Sequence, residues 1–361
     1  MTLWRWANKF CDIPTEYHIT AGEGETPLVR SRQIGPSSGL DQLYFKLESA
    51  NPTGSYKDRY AASAISHMLR GGKSRSIGTS SGNTGAAIAA YCARANLACE
   101  IAIVEKAPMG KLKQMLAYGA HIYKVKGMGI DPAVSEFVMA QLQAKAEMPG
   151  AQLQISAFHY SPDGMAGVKT ISYELAEQAA ASGIALEHVF VPAGGGGLNL
   201  AVVRGFLDLV NQGTLPASPA VHCVQPEGNN TIAGPLREGA QQAQAVTVTS
   251  QISGLQVGNV IDGHETVNAC RSVGGTGYLL SDEAIWHAQK RLAREEGLFC
   301  EPAGAVALAG ALDARQRGEI GCDSPIVCLV TGIGFKDPPS VDRMAEAEDC
   351  PVIAPEEIMA Q

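Results

Sequence analysis

Val189-Phe190-Val191-Pro192-Ala193-Gly194-Gly195-Gly196-Gly197-Leu198-Asn199 decides the fold class of this chain. A short apolar run rich in valine runs straight into four consecutive glycines, and a helical pattern follows over 199–210. A buried strand that passes through a tight turn into a helix is the unit of a parallel α/β sheet. The glycines also suggest chemistry. Without Cβ atoms the backbone can wrap an oxyanion at a helix N-terminus, which is the geometry of a phosphate cradle, whereas the plain alternative is a flexible turn. A dinucleotide fingerprint needs G-x-G-x-x-G, and counted from Gly194 its last glycine is replaced by Asn199.

The same beat repeats along the chain. Apolar runs predict strands over 74–79, 98–104, 121–125, 188–191, 220–224 and 325–330. Alanine-rich periodic segments predict helices over 84–95, 111–118, 132–147, 167–181, 199–210, 282–296 and 304–315. A polar, aromatic stretch occupies 152–164, and the Ala/Gln-rich segment 234–249 reads as an exposed connection. Neither repeats nor a tether-like linker is present. The expected architecture is α/β and two-lobed, each lobe a mostly parallel twisted sheet flanked by helices, with one shared cleft. Residues 1–70 and 163–361 are assigned to a large lobe, and 71–162 to a smaller, mobile one.

Composition limits the function. The 361 residues are 45% hydrophobic and 18% charged, with a formal charge of -8, and no basic stripe is interleaved with aromatics. Nucleic-acid binding is therefore not expected, and small molecules are the favoured ligands. The start of the chain lacks an apolar signal region, and no apolar run is long enough to span a bilayer, so a cytoplasmic location without membrane association is expected. Nine cysteines are scattered without a C-x-x-C pair, and the histidines lack ligand spacing, so reduced thiols and no metal are expected. His222, beside Cys223, reads as structural. Gly72-Lys73-Ser74 imitates the end of a Walker motif, but His67 stands where its first glycine is required.

Two further junctions and one turn carry candidate chemistry. Asn51-Pro52-Thr53-Gly54-Ser55-Tyr56-Lys57-Asp58-Arg59 separates the strand-like run 43–47 from a helical pattern beginning near Tyr60. Lys57 then stands at a helix start, where the dipole and backbone amides disfavour an ammonium; a lysine held neutral can form a Schiff base, although a solvated surface lysine is the ordinary alternative. Thr79-Ser80-Ser81-Gly82-Asn83-Thr84-Gly85 offers hydroxyls and amides to a carboxylate, or caps a helix. Thr331 ends the strand before Gly332-Ile333-Gly334, where open α/β sheets bind ligands.

A Schiff-base lysine, a phosphate cradle, a carboxylate loop and a strand-end hydroxyl are the parts that hold pyridoxal phosphate and an amino acid. The chain here resembles the fold-type-II, or tryptophan synthase β, class of pyridoxal-phosphate enzymes, and within it the threonine synthases. The stretches that carry the resemblance lie at 22–28, 51–59, 80–84, 110–114, 167–170, 191–197, 301–304 and 331–337. The resemblance implies pyridoxal 5'-phosphate bound to Lys57, which also moves the Cα proton; Asn83 at the cofactor's phenolic oxygen; Gly194, Gly195, Gly196 and Gly197 at its phosphate; and Thr331 at the pyridine nitrogen. Ser80, Ser81 and Thr84 are implied for the substrate carboxylate. Glu301 is read as an active-site carboxylate or as a helix cap.

The implied reaction is β- or γ-elimination or replacement on an L-amino acid, with threonine synthase (O-phosphohomoserine to threonine and phosphate) as the leading case. A β-replacement synthase and a serine or threonine dehydratase remain as alternatives, as does a phosphate-ligand binding protein without catalysis. Threonine synthases resemble Asn-Pro-x-Arg-x-x-Gly-x-Lys-Thr in a window that here reads Ser161-Pro162-Asp163-Gly164-Met165-Ala166-Gly167-Val168-Lys169-Thr170. Losing the arginine removes a charge-assisted phosphate contact of roughly 1.5 to 3 kcal/mol unless Lys111, Lys113 or Lys169 replaces it. The four-glycine loop resembles those of amino-acid dehydratases as much as those of threonine synthases, and the 257–263 segment fits neither pattern clearly. The family also implies a homodimer, for which Trp4, Trp6 and Phe10 are candidate contacts, and the acidic tail 344–361 is expected to be peripheral.

Overall fold

The computed structural model describes residues 2–360. Ten strands form two sheets: β1 (Leu28–Arg30), β2 (Leu43–Leu47), β7 (His188–Pro192), β8 (Ala220–Pro226), β9 (Gly277–Leu280) and β10 (Ile326–Val330) in one, β3 (Arg75–Thr79), β4 (Ala98–Val104), β5 (His121–Val125) and β6 (Ala151–Gln154) in the other. The larger has the order β1-β2-β10-β7-β8-β9, the smaller β5-β4-β3-β6. Among the described residues, of these strand pairs only β1–β2 is antiparallel. The central β10, Ile-Val-Cys-Leu-Val, is buried along its whole length, as a parallel strand covered on both faces must be.

Register aligns the strand ends. Val330 lies beside Leu47 of β2, and Cys328 beside Phe190 of β7, so the turns that follow β2, β10 and β7 leave the same edge of the sheet. In the smaller sheet β4, β3 and β6 are adjacent and parallel, and their ends deliver the segments beginning at Glu105, Ser80 and Ile155. Both sheets thus aim the carboxyl ends of neighbouring strands at one space, where an α/β fold binds its ligand.

Helices begin and end where local chemistry allows. The Pro132–Ala146 helix is capped by Asp131, whose carboxylate accepts from the Ala133 amide at 2.9 Å. Ser281 caps Asp282–Glu296 through the Ala284 amide, and Gly297 at φ +68° closes it. The expected helix over 167–181 is broken at Lys169 into Pro162–Val168 and Thr170–Ala181. Its first part packs closely on the Lys57–Arg70 helix: a Cβ on Gly164 would lie 2.6 Å from Tyr60 Cε2, and one on Gly167 2.5 Å from the Arg59 carbonyl. Gly234 to Leu236 sit in a buried short helix, Ala233–Arg237, and the rest of 234–249 is largely exposed. Trp4, Trp6 and Phe10 pack against their own chain, with Trp4 Nε1 donating to the Ile19 carbonyl at 2.8 Å and its ring stacked 4.0 Å from His18. Beyond the Pro338–Ala345 helix, residues 346–359 are largely exposed.

Among the described residues no helix is long and apolar enough to cross a membrane.

Candidate active site

Beneath the Lys57 turn lies a buried ionic network. Arg59, fully buried, donates from Nε and Nη2 to Glu48 at 2.8 Å each and from Nη1 and Nη2 to Glu174 at 2.6 and 2.7 Å. Lys46 Nζ meets Glu174 at 2.9 Å and the Thr26 carbonyl at 2.7 Å. The two cations and two carboxylates balance, and the bidentate forks supply the geometry that a buried pair needs. Asn51 joins them, donating to the Glu48 carboxylate and accepting from the Gly24 amide, both at 2.9 Å. The network ties segments 24–26, 46–59 and 170–178 into one floor.

On this floor the turn is held rigidly against β10. The Tyr56 amide donates to the Thr331 carbonyl at 3.1 Å and Ile333 N to the Gly54 carbonyl at 2.9 Å. Gly54 has φ +89°, and a Cβ there would meet Ile333 Cγ2 at 2.6 Å, so the turn requires glycine. Lys57 is the first residue of its helix, earlier than the expected start at Tyr60. Its Nζ donates to the Tyr56 hydroxyl and lies 4.3 Å from that ring's centre.

A cleft of about 590 Å³ opens above Lys57. That volume accommodates a cofactor together with a small substrate. Lys57, Ser80, Ser81, Asn83, Thr84, Gly194, Gly195, Gly196, Gly197, Glu301 and Thr331 all line it, so the residues expected at the cofactor and at the substrate carboxylate meet here.

The glycine turn precedes the Gly197–Asn211 helix, whose first amides have no partners within the helix. Gly196 has φ +95°, and a Cβ on it would lie 2.4 Å from Thr266 Oγ1. Buried Gln225 holds the turn from behind: its Nε2 donates to the carbonyls of Ala193 and Gly194 at 3.2 and 3.3 Å, and its Oε1 accepts from Ile232 N at 2.7 Å and Ala233 N at 2.9 Å. Asp262, in the 257–263 segment, accepts from the amides of Phe158 and His159 at 2.8 and 3.0 Å. Burial pushes its carboxyl above the usual range. The backbone is thus preformed as a cradle of donors that side chains would fill, as a phosphate monoester requires.

Asn83 opens the Asn83–Arg94 helix, and its Nδ2 donates to Glu301 Oε1 at 2.8 Å. Glu301 occupies the cap position of the Pro302–Gln316 helix but makes no capping bond; its side chain turns to Asn83 instead. Of its two readings from sequence, the carboxylate in the site is the one adopted. Burial pushes its carboxyl up to about 7, against the opposing pull of the Lys336 charge. Lys336 donates to Gln114 Oε1 at 2.6 Å, and its own burial lowers its pKa. Thr84 shares a 2.8 Å hydrogen bond with Ser156, from the loop after β6.

The window compared with threonine synthases lies elsewhere. The Ser161 hydroxyl donates to Gln154 Oε1 at 3.2 Å and accepts from the Tyr60 hydroxyl at 3.3 Å, and Gly164 is pressed on Tyr60. Neither lines the cleft. Of the proposed replacement cations Lys111 does line it, Lys113 is exposed outside it, and Lys169 is paired with Asp208 at 2.7 Å. Sequence reading missed Tyr56, Lys106, Ser156, Ser253 and Asp262 in the lining, and Gln225 behind it. Only Tyr56, adjacent to Lys57, carried a local signal.

A sequence family described as pyridoxal-phosphate dependent enzyme matches residues 19–332. Threonine synthase of Methanocaldococcus jannaschii is 33% identical over 347 residues, 95% of this chain and 83% of that protein. Threonine synthase of Mycobacterium bovis is 32% identical over 338 residues, 93% of this chain and 87% of that protein. Among solved structures, threonine deaminase isoform 2 from Solanum lycopersicum superposes with a TM-score of 0.75 at 22% identity, covering 96% of this chain and 94% of that one. Diaminopropionate ammonia lyase from Escherichia coli gives 0.76 at 18%, covering 96% and 92%. The two structures share the fold, and the sequence relatives extend the likeness to almost the whole chain. With its glycine cradle and its lysine in one cleft, the chain belongs to the family of pyridoxal-phosphate dependent enzymes, as a lyase similar to the threonine synthases.

Proposed function

We propose that the cleft binds pyridoxal 5'-phosphate and an L-amino acid, and that the enzyme is a threonine synthase, converting O-phosphohomoserine and water to threonine and phosphate. The observation that carries this reading is the meeting of Lys57, Asn83, Thr331 and the four-glycine turn around one cavity, in a chain 33% identical to a threonine synthase over 95% of its length. Lys57 would hold the cofactor covalently, Gly194 to Gly197 would bind its phosphate, and Asn83 and Thr331 would offer their amide and hydroxyl to its ring. Bound there, the cofactor supplies an electron sink that makes protons at the substrate's Cα and Cβ removable.

Ser80, Ser81 and Thr84, at a helix start, hold the α-carboxylate and so fix Cα above Lys57. The Lys57 amine takes the Cα proton and later returns one, while Tyr56, bonded to it, keeps the amine aimed. A proton leaves Cβ as the Cγ–O bond breaks and phosphate departs with the electron pair; Cγ then gains a proton, and water gives its hydroxyl to Cβ while its remaining proton balances the one taken up by the phosphate. The neutral hydroxyl of Thr331 suits such elimination chemistry better than a carboxylate would. By family likeness we also assign a homodimer in the cytoplasm, with residues 71–162 as the lobe that closes over 1–70 and 163–361.

Release of phosphate and of ketoacid, measured on O-phosphohomoserine, phosphoserine, serine, threonine and acetylserine, tests the reaction. Threonine with stoichiometric phosphate from phosphohomoserine supports the proposal. Ketoacid from serine or threonine with no reaction of phosphohomoserine would make the enzyme a dehydratase. Light scattering of the purified protein tests the dimer.

A further inference from the structure

The anion that leaves the substrate needs a counter-charge, and the window that in the threonine synthase pattern carries an arginine is closed here. Gly164 has no space for any side chain, and the Ser161 hydroxyl is committed to Tyr60 and Gln154. Three cations line the cleft among the described residues: Lys57, Lys106 and Lys111. The first belongs to the reacting centre, which leaves two.

Lys106 and Lys111 flank the Ala107-Pro108 turn that follows β4. Because β4 pairs with β3, whose end carries Ser80 to Thr84, both lysines stand beside the loop assigned to the substrate carboxylate. Lys106 is exposed and makes no hydrogen bond or ion pair with any described residue. Lys111 is held in place: its Nζ pairs with Asp337 Oδ1 at 2.8 Å and bonds the Ser253 hydroxyl. An ammonium has three N–H donors, so one remains for a ligand. Ser253 accepts from Lys111 through oxygen, and its own proton is free to be donated into the cleft that it lines.

We propose that Lys106, Lys111 and Ser253 form the subsite for an anionic leaving group on the substrate side chain, a phosphate ester or an oxyanion of similar size and charge. The inference rests on the amino-acid-binding reading of the same cleft. Asp337 offsets one of the two positive charges, so the empty subsite carries a net charge of about +1 and favours a dianion without trapping it as product. The two carboxylates in the lining are hydrogen-bonded elsewhere, Asp262 by two backbone amides and Glu301 by Asn83.

The test uses the holoenzyme and inorganic phosphate as the probe. Its dissociation constant is measured by equilibrium dialysis, and its competition with O-phosphohomoserine by steady-state kinetics. Variants are Lys106→Met, Lys111→Met, the double variant, Lys106→Arg as rescue, and Lys113→Met, outside the cleft, as control. Each is first checked for the visible cofactor band and an unchanged melting temperature. Each Met variant should weaken phosphate binding by about tenfold or more, as loss of a charge-assisted hydrogen bond does, and raise KM more than it lowers kcat. Lys106→Arg should recover most of the affinity, and Lys113→Met should match wild type. Phosphate binding equally well to the double variant, or absent from the wild type at tens of millimolar, would overturn the subsite. If phosphate requires both lysines while phosphohomoserine is not turned over, the subsite stands for another anionic leaving group and the threonine synthase reading falls. If the double variant turns over phosphohomoserine with unchanged KM, the reverse holds.

Discussion

The Asn83 amide donates to the Glu301 carboxylate at 2.8 Å, joining a helix that follows β3 to one that begins beside the Thr331 strand end. The bond fixes the amide plane and leaves its second N–H for the cleft. Glu301→Ala should free Asn83 and weaken cofactor retention by about tenfold, the loss of one hydrogen bond to a charged group. Glu301→Gln keeps an accepting oxygen and should stay within a few-fold of wild type. Titration of the apoenzyme with pyridoxal phosphate, followed by the visible band, measures both; equal affinity for the Ala variant and wild type would contradict the positioning role.

Two glycines of the cradle should respond differently to the same methyl group. Gly196→Ala meets Thr266 Oγ1 at 2.4 Å from a backbone at φ +95°, so it should destabilise the fold by roughly 2 to 4 kcal/mol and abolish cofactor retention. Gly195→Ala has ordinary contacts, 3.5 Å to Val257 Cγ1, so it should fold normally yet bind the cofactor more weakly. Thermal unfolding and cofactor titration separate the effects. A Gly195→Ala enzyme with wild-type cofactor affinity would remove the phosphate from this turn.

Restoring the arginine of the threonine synthase window should fail. Gly164→Arg would drive its Cβ to 2.6 Å from Tyr60 Cε2 and 2.9 Å from Ala64 Cβ, where the helix pair has no slack. Even Gly164→Ala should cost roughly 1 to 3 kcal/mol, read as a lower melting temperature. A soluble Gly164→Arg protein with unchanged melting would show that the helix 162–168 can shift outward.

Asp58 makes stability depend on pH. Burial pushes its carboxyl from 3.8 up to about 7, against the Thr53 amide that donates to it at 2.8 Å and the charge of Lys336, with Glu23 acting in the same sense as burial. The folded value exceeds the unfolded one, so its stabilising contribution is full below about 3.8 and is lost as pH rises through about 7. The loss is on the order of 2 to 4 kcal/mol. Asp58→Asn removes this titration, so its melting temperature should fall less than that of wild type between pH 5 and pH 7.5; parallel pH profiles would contradict the assignment.

What the sequence revealed follows from where its physics is local. Strand, glycine run and helix are contiguous at 189–199, so that junction and its anion site were legible. The strand β6, Ala-Gln-Leu-Gln, was not, because an edge strand alternates polar residues and lacks a buried run. Gln225, Asp262 and Ser253 lie far in sequence from the residues they support, and only folding brings them to the cleft. The window at 161–164 was read for its chemistry, whereas its role is steric: Gly164 is there to let two helices touch.

The central claim is that Lys57 carries the cofactor. The most direct measurement is borohydride reduction of the holoenzyme followed by peptide mapping, with Lys57→Ala treated alike. The expected result is a visible band in wild type that reduction abolishes, one phosphopyridoxyl group on the peptide containing Lys57, and no turnover by Lys57→Ala. A colourless protein in excess pyridoxal phosphate, a label on another lysine, or a fully active Lys57→Ala enzyme would contradict it.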